Sequence, residues 1–191
     1  MFKIVEFSHL LIKEFYERNI EKNLTFIDAT CGMGNDSLYM ASLLNNKGKI
    51  VCYDIQEIAI SKTKELLSSN NYNNVTYHLL SHEDFIEKKA DLIIYNLGYL
   101  PTCDKSITTN SGSTLKSIKC ALDITSDNDD YLIIIVVYPG HSEGRIEADL
   151  VDEFVYNLPS NKYLVSKYMN YNRPTSPYIL TISKNKKTPT L

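Results

Sequence analysis

Short apolar runs alternate with segments of helical periodicity along the chain, and this alternation limits the possible folds more than any other feature. The apolar runs lie at 24–28, 49–54, 75–80, 90–96, 131–138, 162–169 and 177–183. The segments with helical spacing lie at 6–21, 35–45, 56–69, 83–88, 111–124 and 143–158. Strands separated by helices predict an α/β fold with a mostly parallel seven-stranded sheet and helices on both faces. The last two runs have no helix between them, which predicts an antiparallel edge strand.

The length and the apolar content fit one globular domain. The chain has 191 residues, so we expect 1–191 to form a single domain. Its longest apolar run, Tyr131 to Tyr138, is far shorter than the roughly 20 residues of a membrane-spanning helix, and the charged first turns do not resemble a signal peptide. The four cysteines form no CxxC pair, which predicts neither a metal site nor a disulfide framework. We therefore expect a cytoplasmic protein that does not bind membranes.

The charge balance argues against a protein that holds nucleic acid by bulk electrostatics. Lys and Arg number 20 against 23 Asp and Glu, for a net charge of −3, whereas dedicated nucleic-acid binders are usually basic. A local basic patch remains compatible with this balance. Basic residues do gather late in the chain, at Lys162, Lys167, Arg173, Lys184, Lys186 and Lys187. Solubility is the simpler explanation of these residues, and contact with phosphates is the alternative.

The first strand ends in a glycine turn that is suited to a ligand. The segment 28–36 reads Asp-Ala-Thr-Cys-Gly-Met-Gly-Asn-Asp, and Gly32 and Gly34 let the chain reverse next to the free N–H groups of the following helix. A dinucleotide fingerprint would have a third glycine where Ser37 stands, and no Gly-Lys-Ser/Thr of a P-loop follows. A turn that serves only helix packing is the structural alternative.

The second and third strands also end in polar residues. Asp54 and Gln56 follow the second strand, at the place where such folds bind the two hydroxyls of a ribose with a carboxylate. Ser81, His82 and Glu83 follow the third and suit the rim of an adenine. Each group alone could be a helix cap. Together, directly after successive strands, they predict a nucleoside-binding edge.

The fourth and fifth strands end in motifs on the other side of this edge. Asn96 opens the sequence Asn-Leu-Gly-Tyr-Leu-Pro, and Tyr138 opens Tyr-Pro-Gly-His. A Pro-Gly turn after an apolar strand would present His141 beside the loop that carries Asn96. Two other histidines, His9 on the first helix and His78 within a strand, are interpreted as structural.

These motifs jointly resemble the class I methyltransferases that use S-adenosylmethionine, whose fold is Rossmann-like. The match is closer to a narrower family of putative rRNA methylases, which is associated with methylation of 5-aminomethyl-2-thiouridine at the tRNA wobble position. It covers Phe26 to Lys184 and rests on 28–36, 54–56, 81–83, 96–105, 138–144 with Glu147, and Asn-x-Pro at 172–174. Thr102 and Cys103 depart from a usually glycine-rich stretch. Leu97 and Gly98 replace the two prolines of the Asn-Pro-Pro-Tyr element of amino methyltransferases.

The resemblance implies three groups of site residues and one cofactor. Asn96 and His141 would act in the chemical step. S-adenosylmethionine would contact Asp28, Thr30, Gly32, Gly34, Asn35, Asp36, Asp54, Gln56, Ser81, His82 and Glu83. The anticodon loop of a tRNA would contact Gly98, Tyr99, Leu100, Pro101, Lys105, Tyr138, Glu143, Glu147, Asn172 and Arg173. The protein would be a monomer or a homodimer.

An aminomethyl acceptor must lose a proton, because an alkylamine with a pKa near 10 is mostly protonated at neutral pH. Asn96 would orient the amine through its carbonyl oxygen, and His141 or a water held by Glu143 or Glu147 would receive the proton. Tyr99 and Tyr138 would form walls against the uridine ring.

Three other functions stay open at this point. The nearest is methylation of a base amine in rRNA, and the second is an S-adenosylmethionine- and RNA-binding module without turnover. A nicotinamide-dependent oxidoreductase is the third, which Ser37 disfavours.

Overall fold

The computed structural model describes residues 3–97 and 111–186, which form five helices and seven strands. The helices are α1 (Ile4–Arg18), α2 (Asn35–Leu44), α3 (Glu57–Ser69), α4 (Ser111–Thr125) and α5 (Ser142–Tyr156). The strands are β1 (Thr25–Asp28), β2 (Lys49–Asp54), β3 (Val75–Leu79), β4 (Leu92–Leu97), β5 (Leu132–Val137), β6 (Tyr163–Tyr168) and β7 (Tyr178–Lys184). These bounds lie within three residues of the sequence-based predictions.

All seven strands join one sheet in the order β3-β2-β1-β4-β5-β7-β6. Strands β1 to β5 pair in parallel, and β7 pairs antiparallel with both β5 and β6. The predicted parallel sheet with an antiparallel edge is therefore confirmed, with β7 one place inside the edge strand β6. The strand order reverses between β1 and β4, and open sheets of this kind bind ligands at the carboxyl ends of the strands beside such a point.

Two hydrophobic cores cover the two faces of the sheet. One packs Ile12 and Phe15 of α1 and Met40 of α2 against alternate strand residues such as Phe26 and Ile94. The other face packs helices α4 and α5 against the remaining strand positions. Because side chains alternate between the faces of a strand, runs such as 132–137 must be apolar on both faces, and every residue of that strand is buried. The predicted helices on both faces are confirmed.

The short helix predicted at 83–88 is absent. The segment forms turns and bends instead. Its Ile86 N–H donates to the Tyr53 hydroxyl at 2.9 Å, the Tyr53 hydroxyl donates to the Glu87 carboxylate, and Phe85 is buried in the core. A single helical turn is costly to nucleate, so these tertiary contacts determine the conformation. Among the described helices, none combines the length and the apolar character that a bilayer crossing requires.

Candidate active site

The glycine turn between β1 and α2 has the backbone conformation that the sequence predicts. Gly32 and Gly34 have φ values of +52° and +80°, in the left-handed region that favours glycine. Asp28 lies under the turn, where it accepts the Thr30 N–H at 3.3 Å and the Ser37 hydroxyl at 2.5 Å. Ser37 therefore holds the Asp28 carboxylate that supports the turn. It does so at the position where a dinucleotide fingerprint would have glycine.

Burial and neighbouring charge both act on Asp28. The side chain is only 1% exposed. Burial, followed by the negative charge of Asp36 and more weakly of Asp54, raises the pKa of Asp28 to about 7. Burial also raises the pKa of Asp54. The carboxyl ends of β1 and β2 therefore form an acidic region at the switch point.

Gly34 is required by helix packing. A Cβ atom there would lie 2.9 Å from Thr63 Oγ1 and 3.0 Å from Thr63 Cα, on helix α3. The same Thr63 hydroxyl donates to the Gly32 carbonyl at 3.2 Å. The crowding at Gly34 therefore comes from α3, so helix packing is sufficient to explain this glycine, and its contact with a cofactor stays a prediction. Gly32 and the other cofactor positions of the turn stay predictions.

Asp54 connects the second strand to the glycine turn. Its Oδ2 accepts the Gly32 N–H at 3.0 Å, and its Oδ1 accepts the Gln56 N–H at 3.0 Å. The Ile55 backbone also bonds to this carboxylate. A carboxylate has about four acceptor sites, so acceptor capacity remains for a hydroxyl donor. Asp54 is 9% exposed. This arrangement can hold a ribose while it keeps the glycine turn in place.

The segment after β3 contributes one buried polar group with no partner. His82 is 7% exposed, its ring packs edge-on against Tyr95 with centroids 5.7 Å apart, and its Nδ1 lacks a hydrogen-bond partner among the described residues. Burial lowers the pKa of His82, which keeps the ring neutral. Ser81 and Glu83 bond mainly to each other, because the Glu83 N–H donates to the Ser81 hydroxyl at 3.3 Å. A buried unpaired nitrogen is costly and suits a site that is completed by a ligand.

Asn96 lies at the centre of a hydrogen-bond network across the switch point. Its Nδ2 donates to Asp36 Oδ2 at 2.6 Å, and its Oδ1 accepts the Tyr138 hydroxyl at 3.4 Å. Its backbone N–H donates to Thr30 Oγ1 at 2.7 Å. Because a carboxylate only accepts hydrogen bonds, the NH2 group of the Asn96 side chain must face Asp36. Its carbonyl oxygen must therefore face Tyr138. Burial, with the nearby charge of Asp36, raises the pKa of Tyr138.

His141 begins helix α5 as its N-cap residue. The Gly144 N–H donates to His141 Nδ1 at 3.0 Å. Gly144 has no room for a side chain, since a Cβ atom would lie 2.3 Å from the Tyr138 carbonyl oxygen and 2.9 Å from the His141 ring. With Nδ1 occupied as an acceptor, a neutral His141 carries its proton on Nε2. The predicted role of His141 as a proton acceptor would require the loss of this cap.

The remaining predicted substrate residues have different environments. Glu143 is exposed in the first turn of α5, and Asn172 and Arg173 are exposed on the loop between β6 and β7. This loop passes close to the turn after β5, because the Thr175 carbonyl oxygen is 3.7 Å from the Cβ position of Gly140. Glu147 differs: it is 5% exposed and accepts the Thr114 hydroxyl at 2.6 Å, between α5 and α4.

Glu147 therefore takes part in the packing of these two helices, and its contact with substrate stays a prediction.

Three late lysines form ion pairs with aspartates on the surface. Lys167 pairs with Asp152 at 2.8 Å, and Lys184 and Lys186 pair with Asp129 and Asp130 at 3.4 and 3.1 Å. Pairing reduces the local positive charge that phosphates would meet.

Several predicted positions lie outside the described residues, namely Gly98, Tyr99, Leu100, Pro101, Lys105, Cys103 and Lys187. Asn35 is exposed at the first position of α2, and Gln56 is half-buried as the N-cap of α3. Within residues 3–97 and 111–186, no group of three or more His, Cys, Asp or Glu side chains could hold a metal ion.

Sequence reasoning missed His9. Interpreted as structural, it in fact contacts a predicted site residue: His9 Nε2 lies 2.6 Å from Asp36 Oδ1, and its ring stacks on Tyr39 with centroids 4.0 Å apart. No local motif marks His9, since it lies on a helix 27 positions before Asp36. His78, by contrast, lies 3.3 Å from Glu87 in a cluster away from these contacts, as a structural histidine would.

Comparison with known proteins identifies the family of this chain. A family model described as "Putative rRNA methylase" matches residues 50–184. A curated relative from Arabidopsis thaliana, "tRNA (mnm(5)s(2)U34)-methyltransferase, chloroplastic", is 35% identical over 95% of this chain and 69% of its own length.

Solved structures agree with this assignment. A Clostridium thermocellum structure described as a "putative rRNA-methylase" has a TM-score of 0.89 at 30% identity, and the match covers 96% of this chain and 98% of that one. A Streptococcus mutans structure described as "a putative methyltransferase", crystallised with SAH, has a TM-score of 0.82 at 31% identity, and the match covers 96% of this chain and 99% of that one. The resemblance found in the sequence motifs is confirmed, and the chain belongs to the family whose model is described as "Putative rRNA methylase".

Proposed function

We propose that this protein is an S-adenosylmethionine-dependent tRNA methyltransferase that N-methylates the 5-aminomethyl group of 5-aminomethyl-2-thiouridine at the wobble position. The observation that carries the proposal is the fixed orientation of Asn96, whose carbonyl oxygen is held toward Tyr138 by the bond from its amide to Asp36. An amine acceptor needs such an oxygen to accept its N–H and direct its lone pair. The name of the Arabidopsis relative supports the wobble uridine of tRNA as substrate.

The residues around the glycine turn fit S-adenosylmethionine, which supplies an activated methyl group when bound. Asp54 keeps acceptor capacity for a ribose hydroxyl, in addition to its bonds to the backbone at Gly32, Ile55 and Gln56. The unpaired Nδ1 of His82 gives a buried ring nitrogen that a hydrogen bond from the adenine side of the cofactor would satisfy. The Streptococcus mutans structure holds SAH, which supports the same cofactor class here. Residues of the turn at 28–36 would surround the methionine part.

The acceptor amine approaches the other side of the switch point. Asn96 accepts one N–H of the amine and thereby aligns it, while Tyr138 lies at the same oxygen. Methyl transfer is an in-line displacement, so alignment is the main contribution that the protein makes. The acidic region of Asp28, Asp36 and Asp54 also attracts a cationic amine to the site.

The amine must lose its proton before or during attack. His141 is less suited to accept this proton because its Nδ1 caps helix α5. Glu147 is buried against Thr114. A water beside the exposed Glu143 is therefore the acceptor that we propose, and His141 contributes position and an Nε2 proton donor to the bound nucleotide.

Several broader expectations accompany this proposal. The partner is the anticodon loop of tRNA, with Arg173 as an exposed phosphate contact, and residues 1–191 act as one domain, monomeric or homodimeric. The location is cytoplasmic, together with the tRNA. Because few phosphate contacts are involved, the affinity for tRNA depends only moderately on salt.

The test is a methylation assay with defined RNA. The purified protein is incubated with S-adenosylmethionine and tRNA that carries 5-aminomethyl-2-thiouridine, and nucleosides are identified by mass spectrometry. Gain of one methyl group on that nucleoside supports the proposal, and Asn96→Ala should abolish most of it. Asn23→Ala is the matched control, since Asn23 is exposed and precedes strand β1, at the end of that strand opposite to the glycine turn.

Methylation of an rRNA base amine is the second candidate, which the description of the matching family favours. The same assay with hypomodified rRNA as the methyl acceptor separates the two. Methyl transfer to rRNA and none to tRNA would replace the first proposal. Cofactor binding without transfer to either RNA would instead indicate a binding module.

A further inference from the structure

Asp36 is shared between two side chains that lie far apart in the sequence. Its Oδ1 lies 2.6 Å from His9 Nε2, and its Oδ2 accepts Asn96 Nδ2 at 2.6 Å. The Asp36 side chain is 15% exposed and that of His9 is 24% exposed, so the contacts are partly shielded from water. Helix α1, helix α2 and strand β4 therefore meet at one carboxylate.

The bond to Asp36 determines which end of the Asn96 amide is presented to a substrate. An amide can rotate by 180° and exchange its oxygen for its NH2 group at little steric cost. In the observed orientation the oxygen is available as an acceptor. In the opposite orientation an NH2 group would face the N–H of the amine, and the alignment would be lost. The rate of transfer thus depends on how firmly Asp36 is held.

His9 holds the second oxygen of that carboxylate. Because Asp36 cannot donate, the hydrogen of this bond belongs to His9 Nε2. The His9 ring is itself fixed by stacking on Tyr39, with an interplanar angle of 4°. A carboxylate with both oxygens hydrogen-bonded is restricted in its rotation. With one oxygen free, Asp36 can rotate and release the Asn96 amide.

We infer that His9 is a positioning residue for methyl transfer, which fixes the orientation of the Asn96 amide through Asp36. This inference rests on the proposed function, in which Asn96 aligns the amine. It assigns a role in the reaction to helix α1, which lies outside the residues matched by the family model.

The test compares two substitutions of His9 that each keep one of its two contacts. His9→Phe keeps a ring to stack on Tyr39 and removes the donor to Asp36. His9→Gln removes the ring and keeps a terminal N–H donor at a similar reach. A third variant, Asp36→Asn, replaces one acceptor oxygen by an NH2 group, so it cannot accept from both His9 and Asn96.

We expect the methyl-transfer rate to depend on whether residue 9 can donate a hydrogen bond to Asp36. In single-turnover assays His9→Phe should lower the methyl-transfer rate about tenfold, with the affinities for S-adenosylmethionine and tRNA unchanged. His9→Gln should recover most of the rate, and Asp36→Asn should be slower than His9→Phe. A wild-type rate in His9→Phe would overturn the inference. So would equal losses in both His9 variants, which would indicate a packing role.

A second measurement tests the inference without any RNA. The Asn96 side-chain amide protons are assigned by NMR from the signals that disappear in Asn96→Ala. In the wild type, one proton should be strongly downfield-shifted by its bond to the carboxylate. The shift should move toward that of a free amide in His9→Phe and stay in His9→Gln. An unchanged signal in His9→Phe would overturn the inference. Failure of the proposed function is a different result, namely wild-type protein that binds cofactor and methylates no tRNA.

Discussion

The carboxylate of Asp54 accepts the backbone N–H of Gly32 at 3.0 Å, which ties the end of strand β2 to the glycine turn after β1. One side chain thus shapes the turn and offers its remaining acceptor sites at the same edge. The proposed cofactor site is therefore a coupled unit, in which loss of Asp54 would remove a proposed contact with the cofactor and would also loosen the turn.

We expect Asp54→Asn to weaken S-adenosylmethionine binding by about 2 kcal/mol, or about thirtyfold. In asparagine an NH2 group stands in place of one carboxylate oxygen. The backbone N–H that bonded to that oxygen, from Gly32 or from Gln56, then faces a donor. Isothermal titration measures the affinity. Asp127→Asn makes the same charge change at an exposed site and should bind like the wild type. Equal affinities in both variants would remove Asp54 from the cofactor site.

Asn96→Ala should lower the single-turnover methylation rate about 100-fold and leave the affinity for S-adenosylmethionine nearly unchanged. The substitution removes the oxygen that is proposed to align the amine, whereas the proposed cofactor contacts follow strands β1 to β3. Tyr138→Phe should have a much smaller effect, because its hydroxyl is 3.4 Å from Asn96 Oδ1 and forms a weak bond. A wild-type rate for Asn96→Ala contradicts the site assignment.

Gly34→Ala should destabilise the fold, whereas Gly140→Ala should not. At Gly34 the φ of +80° and the distance of 2.9 Å to Thr63 Oγ1 both oppose a Cβ atom. A left-handed alanine alone costs about 1–2 kcal/mol. At Gly140 the nearest atom to a Cβ would be 3.7 Å away. Urea unfolding measures both variants, and Gly34→Ala combined with Thr63→Ala should recover part of the loss. Equal stability of the two single variants would show that the turn tolerates side chains.

The stability of the fold should decrease as the pH rises from about 4 to about 7, because Asp28 loses its proton at a lower pH in the unfolded state than in the folded state. Its pKa is raised mainly by burial, to about 7, so in this range the folded state holds a proton that the unfolded state has lost. The cost is absent below the unfolded pKa and complete above pH 7. Asp28→Asn lacks this cost.

The difference in unfolding free energy between Asp28→Asn and the wild type should grow in favour of the variant by at least about 1 kcal/mol between pH 4.5 and pH 8. Urea unfolding at several pH values measures this difference, with Asp127→Asn as the surface control. A difference that does not change with pH would mean that Asp28 is ionised throughout.

The sequence predicts most of the fold because its strands are long apolar runs and its helices are amphipathic. Strand β5, at 132–137, is buried at every position, and such a run between helices has few alternatives to a central parallel strand. The segment 83–88 forms no helix because the Tyr53 hydroxyl, 33 positions before Ile86, accepts the Ile86 N–H and donates to the Glu87 carboxylate. Contacts of this kind have no local signature.

The candidate site also has a part that the sequence predicts and a part that it does not. Residues directly after strands, such as Asp28, Asp54 and Asn96, are predictable, since the ends of parallel strands meet at one edge of the sheet. The direction of their hydrogen bonds is not. That Thr63 crowds Gly34, that Glu147 turns into the helix pair and that His9 reaches Asp36 all depend on how helices pack, which the local pattern does not encode.

His141 can be tested by a substitution that separates its cap from its ring. His141→Ala removes the acceptor for the Gly144 N–H and should cost about 1 kcal/mol of stability. His141→Asp supplies a carboxylate acceptor that caps helices well, and should restore stability. If the imidazole acts on the nucleotide through its Nε2 proton, His141→Asp should still methylate tRNA slowly. The slow rate of this stable variant should not recover between pH 6 and pH 10, because a positioning defect is independent of the protonation of the amine. A rate that recovers at high pH would instead make His141 the proton acceptor.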